Sequence, residues 1–197
     1  MTIKQKITTN SVNKIFIISG PSGAGEDSVI EELQKKLNFN RIITTVTRSP
    51  RQNESQGNPY YFISVEEFKK LIAKNELIEW AVVYGDYRGC TKQEVTRLLK
   101  TGKPIFWKVD WQGVKTIKNF LPEAVSIFIA PPSYKILEKR LMKRGQDTVE
   151  TIKQRKKFTK EWLNHKDVYD YIVINKEGKF DETIAKAEKI IQNELKP

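Results

Sequence analysis

A short glycine-rich turn near the start of the chain limits the possible folds more than any other feature. The apolar run at 14–19 has the length of a β-strand, and it ends at the hexapeptide Gly20-Pro-Ser-Gly-Ala-Gly25. Helical spacing of apolar residues then follows at Val29, Ile30, Leu33 and Leu37. A strand, a tight turn and a helix in this order predict the first unit of an α/β fold. Backbone N–H groups in such a turn point at phosphate oxygens, and the helix N-terminus favours negative charge there.

Three later apolar runs extend this pattern, at 105–109, Val125–Ala130 and Tyr171–Ile174. Each run is followed by apolar residues at helical spacing, and Ser133 is the expected N-cap of the helix that follows the second run. Apolar runs that alternate with helices predict a parallel sheet with helices on both faces. We therefore expect one α/β domain over residues 1–197.

Residues 40–97 do not follow the alternating strand and helix pattern of the rest of the chain. Strands are expected at 41–46, 60–63 and 77–84, and a polar loop at 49–59 contains two prolines and Gly57. Capping-box patterns at Ser64 and Thr91, each with Glu three residues later, predict the start of two helices. We interpret this segment as a mixed α+β insert between the first and second strands of the parallel sheet.

The charge of the chain points to an anionic ligand. Lys and Arg number 35 against 24 Asp and Glu, for a net charge of +11. Nucleotides, nucleic acids and phospholipid head groups all fit such a balance. Nine basic residues lie between Lys139 and Lys160, where only Asp147 and Glu150 oppose them. That segment is either a solvated helix face or an anion site. Apart from Phe158 and the nearby Trp162 it lacks aromatic residues for stacking on bases, which argues against nucleic acid.

The remaining composition excludes other classes of protein. Cys90 is the only cysteine, so a disulfide scaffold is excluded. No run approaches the roughly 18–20 apolar residues of a membrane span, and residues 1–13 lack the apolar region of a signal peptide. We therefore expect a cytoplasmic protein without a membrane partner.

Seven motifs in order carry a resemblance that covers nearly the whole chain. They are GPSGAG at 20–25, TTVTRSPR at 44–51, EWA at 79–81, VDWQGV at 109–114, IAPPS at 129–133, RLMKRG at 140–145 and YDYIVIN at 169–175. Together they resemble the guanylate kinase family, P-loop enzymes that phosphorylate GMP with ATP. The resemblance implies a P-loop kinase fold, in which a parallel sheet flanked by helices carries a GMP-binding insert and a basic helical lid. On this division 12–39, 98–133 and 161–197 form the core, 40–97 the insert and 134–160 the lid.

The resemblance places GMP against the insert. Arg48 and Arg51 match two arginines that hold the GMP phosphate, and Tyr60 matches a tyrosine that donates its O–H to the same phosphate. Glu79 matches the carboxylate that accepts from guanine N1–H and the 2-amino group, which adenine lacks on that edge. Thr44 matches a hydroxyl that contacts the base, and Asp110 is also expected on the GMP side of the site.

Several positions depart from the family pattern. Arg88 replaces a tyrosine that binds phosphate, and Cys90 replaces a hydroxyl near the base, where a thiol is a weaker hydrogen-bond partner. The P-loop pattern G-x-x-x-x-G-K-[ST] ends here in Glu26 and Asp27, and a serine comes one place late. The second core strand ends in Lys108-Val-Asp110, where the family has Asp-x-Asp.

We predict that the two opposite charge changes compensate each other. Residues i and i+2 of a strand share a face, so Lys108 should point the same way as Asp110. Lys108 would then supply the cation that the loop lacks, and Glu26 would pair with Lys108 or with a lid arginine. The opposing interpretation is independent loss of catalytic residues in a protein that is no longer an enzyme.

The ATP side of the implied site follows from the same resemblance. Its residues in the loop and after the last strand are Gly20, Pro21, Ser22, Gly23, Ala24, Gly25, Glu26, Asp27, Ser28 and Asn175. Lid arginines that would close on the ATP phosphates are Arg140, Arg144 and Arg155. Mg²⁺ is the implied cofactor, bridging ATP phosphates, with Asp27 and Asp110 as candidate ligands.

Three functions therefore compete. The first is a kinase that transfers a phosphoryl group from ATP to GMP, and the retained lid arginines favour it. The second is a non-catalytic guanylate-kinase-like binding domain, which the altered loop favours. The third is a kinase for another phosphorylated small molecule, which Glu79 argues against because a sugar offers no guanine edge. The sequence leaves open whether the protein is a monomer or a homodimer.

Overall fold

The computed structural model describes residues 13–144 and 149–196, without the side chains of residues 144, 149–155 and 158. The strands in this part of the chain are β1 (Ile15–Ser19), β2 (Asn40–Arg41), β3 (Thr44–Val46), β4 (Ser55–Gln56), β5 (Pro59–Phe62), β6 (Leu77–Val83), β7 (Asp86–Thr91), β8 (Ile105–Lys108), β9 (Val125–Ala130) and β10 (Tyr171–Ile174). The helices are α1 (Glu26–Lys36), α2 (Val65–Ala73), α3 (Lys92–Leu99), α4 (Trp111–Phe120), α5 (Tyr134–Arg144), α6 (Val149–Asn164) and α7 (Phe180–Glu194). A 3₁₀ turn, Lys166–Val168, precedes β10.

The first sheet has the parallel architecture that the sequence predicts. Its order is β10-β9-β1-β8-β2, and every pairing is parallel. Successive residues of β1 face opposite sides: Ile15 and Ile17 pack with α4 and α6, whereas Phe16 and Ile18 pack with α1, α5 and α7. Because helices cover both faces, β1 is buried throughout, which explains its unbroken apolar sequence.

The second sheet is mixed and belongs to the predicted insert. Its order is β4-β5-β3-β7-β6, with β3 parallel to β5 and antiparallel to β7. The sequence analysis missed β7, because Arg88-Gly89-Cys90 is not a typical strand sequence. The signal that was available is the two-residue turn before it. Tyr84 and Gly85 both have positive φ, 58° and 87°, as a type I′ hairpin turn requires.

The expected strand at 41–46 is two strands in two different sheets. Asn40–Arg41 pairs with β8 in the first sheet, whereas Thr44–Val46 pairs with β5 and β7 in the second. The chain changes sheets between them. The N–H of Ile42 still donates to the core-strand carbonyl of Phe106, but the N–H of Ile43 donates to the side chain of Glu94. The start of the insert at residue 40 therefore needs correction, since β2 belongs to the core sheet.

The predicted helix caps are present, one of them in part. Ser64 and Glu67 form a complete reciprocal capping box, and Ser133 accepts a hydrogen bond from the N–H of Ile136. Thr91 caps α3, but the carboxylate of Glu94 does not return to the Thr91 N–H. It accepts instead from Ile43 and from Arg97, so this buried side chain ties α3 to the crossing between the sheets. In the described part of the chain, no helix has both the length and the apolar character to cross a bilayer.

Glu94→Ala should lower the free energy of unfolding by about 1–3 kcal/mol, because the N–H of Ile43 would lose its acceptor. Urea denaturation followed by circular dichroism measures the loss. Glu94→Gln keeps an oxygen for Ile43 and should lose less. Equal losses in the two variants would show that the hydrogen bond to Ile43 is not what Glu94 contributes.

Candidate active site

A cleft opens where the carboxyl ends of β1 and β8 face the second sheet. Ligands of open α/β folds bind at this edge of the sheet. Most predicted site residues line the cleft: Gly20, Ser22, Gly23, Glu26, Asp27, Thr44, Arg48, Arg51, Tyr60, Glu79, Arg88, Lys108 and Asp110. The sequence analysis did not assign four other lining residues, Val83, Tyr84, Val109 and Trp162.

The other predicted residues lie elsewhere. Pro21, Ala24, Gly25, Ser28, Cys90, Arg140 and Asn175 are not part of the cleft lining. Ser28 is exposed on α1, so its late position in the loop does not supply the missing P-loop hydroxyl. The side chains of Arg144 and Arg155 lie outside the described residues.

The glycine-rich turn joins β1 to α1 and is held from behind by Asn175. The amide of Asn175 donates to the carbonyl of Ala24 over 2.8 Å, and its backbone N–H donates to Ala130 at the end of β9. Gly25 has φ +102°, and a Cβ there would lie 2.6 Å from the Asn175 amide nitrogen. The resemblance made Asn175 a wall of the ATP site. In the structure it braces the loop backbone.

A cluster of charges stands at the mouth of this turn. The ammonium of Lys108 lies 2.6 Å from a carboxylate oxygen of Asp27 and 2.6 Å from the hydroxyl of Tyr60. The other oxygen of Asp27 pairs with Arg41. Lys108 and Asp110 both face the cleft, as the strand alternation predicts. The expected pairing of Glu26 with Lys108 is wrong, because Asp27 pairs with Lys108 and Glu26 accepts from the N–H of Gly25. A pairing of Glu26 with Arg144 or Arg155 involves side chains outside the described residues.

The pKa shifts reflect these contacts. Burial by itself would raise the pKa of Asp27, but Lys108 and Arg41 outweigh it and hold the pKa well below its usual value. Burial would likewise lower the pKa of Lys108, yet Asp27 keeps that pKa above its usual range. Burial raises the pKa of Glu26 to about 7 despite the nearby Lys108. Near neutral pH the pair Lys108–Asp27 is therefore ionised, whereas burial holds the pKa of Glu26 far above the usual value of a carboxyl group.

Arginines form the side of the cleft on the insert. The guanidinium of Arg48 makes two hydrogen bonds to Glu54, of 2.6 and 2.7 Å, and lies 5.2 Å from the ring centroid of Tyr60. Arg48 is therefore fixed before any ligand arrives, by a glutamate that sequence reasoning did not single out. The Nε atoms of Arg48 and Arg88 are buried without a hydrogen-bond partner. Both arginines line the cleft, and two guanidinium cations there favour an anionic ligand.

Glu79 is a buried carboxylate on the inner face of β6. Alternation along this strand places it among Leu77, Ala81 and Val83, so only 5% of the residue is exposed. One of its oxygens has no hydrogen-bond partner. Burial, with a contribution from Asp110, raises the pKa of Glu79 to about 8. Such a group is an acceptor that lacks its donor.

Cys90 is the cross-strand partner of Glu79 on β7, but it is not part of the cleft lining. Its thiol is fully buried and faces the backbone carbonyl of Thr91, 3.6 Å away. The hydroxyl of Thr44, by contrast, lines the cleft and donates to the carbonyl of Lys108 over 3.5 Å. A direct contact of the Cys90 side chain with a ligand is therefore not supported.

Asp110 and Trp162 complete the floor. Asp110 is the N-cap of α4 and accepts from the N–H of Gly113 over 2.8 Å, and burial raises its pKa. The indole N–H of Trp162 donates to the hydroxyl of Tyr169, which lies 2.8 Å from the Ser19 hydroxyl. These buried polar groups come from three distant segments, so no local sequence pattern identifies them.

Comparison with known proteins agrees with this geometry. The family model for guanylate kinase matches residues 12–194. The chain belongs to the guanylate kinase family. It is 44% identical to a guanylate kinase of Rickettsia prowazekii, over 90% of this chain and 89% of that protein, and 40% identical to one of Shewanella oneidensis, over 91% and 87%. The crystal structure of guanylate kinase from Anaplasma phagocytophilum aligns with a TM-score of 0.75 at 28% identity, covering 95% of this chain and 89% of that one.

Glu79 should make stability depend on pH. Its pKa is about 8 in the folded protein against an ordinary 4.5, so the folded state keeps a proton that the unfolded state releases. Stability should fall as pH rises between these values. Glu79→Gln mimics the protonated side chain, so its Tm relative to the wild type should rise between about pH 5 and about pH 8, by about 2–4 °C for each kcal/mol. A Tm difference that stays constant with pH would contradict the raised pKa.

Proposed function

We propose that this chain transfers the γ-phosphoryl group of ATP to GMP and that Lys108 supplies the cation missing from its phosphate loop. The observation that carries this proposal is the position of the Lys108 ammonium, 2.6 Å from Asp27 at the loop and 2.6 Å from the hydroxyl of Tyr60 on the insert. A cation between these two sides stands where a phosphoryl group would pass from one nucleotide to the other.

The insert side of the cleft suits GMP. The unpartnered oxygen of Glu79 is an acceptor for guanine N1–H and the 2-amino group, and Thr44 lies on the same wall. Arg48, held by Glu54, and Tyr60 offer donors to the phosphate of GMP. Arg88 lies on the same side, and its buried Nε has no hydrogen-bond partner. We expect Arg88 to bind phosphate in place of the family's tyrosine.

The loop side suits the phosphates of ATP. The turn from Gly20 to Gly25 presents backbone N–H groups ahead of the N-terminus of α1. Arg140 lies on α5, and its guanidinium donates to the carbonyl of Asn175 over 2.9 Å. Its proposed contact with ATP, like those of Arg144 and Arg155, therefore requires lid closure onto the bound nucleotide.

The proposed role of Lys108 follows from charge. Phosphoryl transfer spreads negative charge over the transferring group, and a cation held next to that group lowers the barrier more than it strengthens binding. An ammonium has three N–H donors. Two of them are directed at Asp27 and Tyr60, which leaves one for a phosphate oxygen. Glu26 accepts from the N–H of Gly25 rather than from Lys108, so it does not occupy that third donor.

Magnesium is the proposed cofactor, and it would neutralise phosphate charge when bound with ATP. Asp110 fits as a ligand, directly or through water, because it is an oxygen donor in the cleft and has only one oxygen committed to Gly113. Asp27 does not fit in this arrangement, since Lys108 and Arg41 occupy its two oxygens. Among the described residues no cluster of His, Cys, Asp or Glu could hold a metal ion alone. Magnesium would therefore rest mainly on the ATP phosphates.

The purified protein should phosphorylate GMP in preference to AMP, CMP and UMP, by a factor on the order of 10² or more. Glu79→Gln should reduce the preference, because Glu79 can release its proton when guanine binds and then accept from both guanine donors, whereas an amide cannot. A coupled assay of ADP release with ATP and each monophosphate measures it. Glu66→Gln, an exposed change on α2, is the matched control and should behave like the wild type. Equal rates on AMP and GMP, or no turnover at all, would overturn the proposed function.

Lys108→Ala should lower kcat at least about tenfold, equal to about 1.4 kcal/mol of barrier, with a smaller change in KM for GMP. Steady-state kinetics with both substrates varied separates the two effects. Lys189→Ala, which removes an exposed lysine of α7, controls for loss of charge in general.

A paired exchange tests the compensation directly. Glu26→Lys combined with Lys108→Asp restores the family arrangement, and it should retain more activity than Lys108→Asp alone. If the effects of the two changes simply add, or if Lys108→Ala is silent, the loop and the strand end are not coupled.

A further inference from the structure

Arg41 stands out as a buried cation without an assigned task. It ends β2 and pairs in register with Phe106, two residues before Lys108 on the neighbouring strand β8. Its side chain is only 13% exposed, and it is directed at Asp27 at the start of α1. It lies between the motifs at 20–25 and 44–51, so the family resemblance does not include it.

Asp27 is consequently shared between two cations. One oxygen accepts from Arg41 and the other from Lys108. If Asp27 faced Lys108 alone, the ion pair would be neutral and would offer little attraction to a phosphate. With Arg41 present the group carries one net positive charge. When Glu26 is ionised, its negative charge cancels that net positive charge. The site then depends still more on Arg41 as its second cation.

We propose that Arg41 is a positioning residue for phosphoryl transfer: it neutralises Asp27 and fixes its orientation, so that the charge of Lys108 stays available to the phosphates. This inference rests on the proposed function. Arg41 would then be the third residue of the charge exchange, after Glu26 and Lys108. Because the cation is on β8 and not in the loop, the acid at position 27 requires a cation of its own.

A purely structural role is the alternative. Arg41 and Asp27 also connect β2 to α1, and loss of that link would destabilise the fold. The two roles differ in what removal of Asp27 does. If Arg41 acts through charge, removing the acid as well should restore net charge and activity. If Arg41 acts only as a link, removing its partner restores nothing.

The experiment measures kcat and KM for ATP and for GMP in four proteins: wild type, Arg41→Met, Asp27→Asn with Arg41→Met, and Arg41→Lys. Arg41→Met should lower kcat about tenfold, with less than about a twofold change in KM for GMP. Asp27→Asn in the same chain should recover at least about threefold, since an amide oxygen can still accept from Lys108. Arg41→Lys keeps the charge and should retain about half of the activity or more.

Controls separate this inference from the proposed function and from misfolding. Lys36→Met breaks another ion pair of α1, with Glu188 3.0 Å away, and should leave kcat unchanged. Thermal unfolding of each variant shows whether it is folded. The inference is overturned if Arg41→Met is silent or if Asp27→Asn brings no recovery. Absence of GMP phosphorylation by the wild type would instead overturn the proposed function.

Discussion

The carboxylate of Asp27 is the contact on which the arrangement of this site depends. Lys108 is the last residue of a core strand, Arg41 ends the neighbouring strand, and Asp27 starts the helix behind the loop. One acid between two cations ties these three elements together at the point where the cleft opens. Buried charges are tolerated only when they are paired and hydrogen-bonded. The side chains of Arg41 and Lys108 are only 13% and 16% exposed, and each has an oxygen of Asp27 as its partner.

The same contact joins the two sheets. Tyr60 lies on the second sheet, and its hydroxyl meets the ammonium that Asp27 holds in the first. The chain itself crosses between the sheets at residues 42–43, where the buried Glu94 receives the N–H of Ile43. The insert is thus attached to the core by a backbone crossing on one side and by a polar bridge on the other. Residues of both sheets can then face one ligand.

The sequence predicts the core well because its signals are local. Val125–Ala130 and Tyr171–Ile174 are strands with the expected bounds, since a strand covered on both faces must be apolar throughout. The insert is harder to predict: β7 has weak strand propensity, and the expected strand at 41–46 divides where no single residue marks the change of sheet.

In the site, strand alternation places Lys108 toward the cleft, but the predicted partner Glu26 is wrong. Neighbouring residues of a helix point about 100° apart, so only the packing of α1 decides which of two adjacent acids meets the lysine. Asn175 and Arg41 act through contacts with distant segments that sequence alone does not reveal.

A lysine at the end of a strand moves with the sheet, whereas a lysine in a loop moves with the loop. Lys108 is carried by β8, which is paired on both sides with β1 and β2, whereas the glycine-rich turn is a flexible type of sequence that is braced from one side by Asn175. The loop and the lysine therefore belong to separate elements of the fold. A search pattern that requires both in one continuous stretch would overlook such a chain, because what the chemistry needs is a charge at one point in space and not a lysine at one place in a motif.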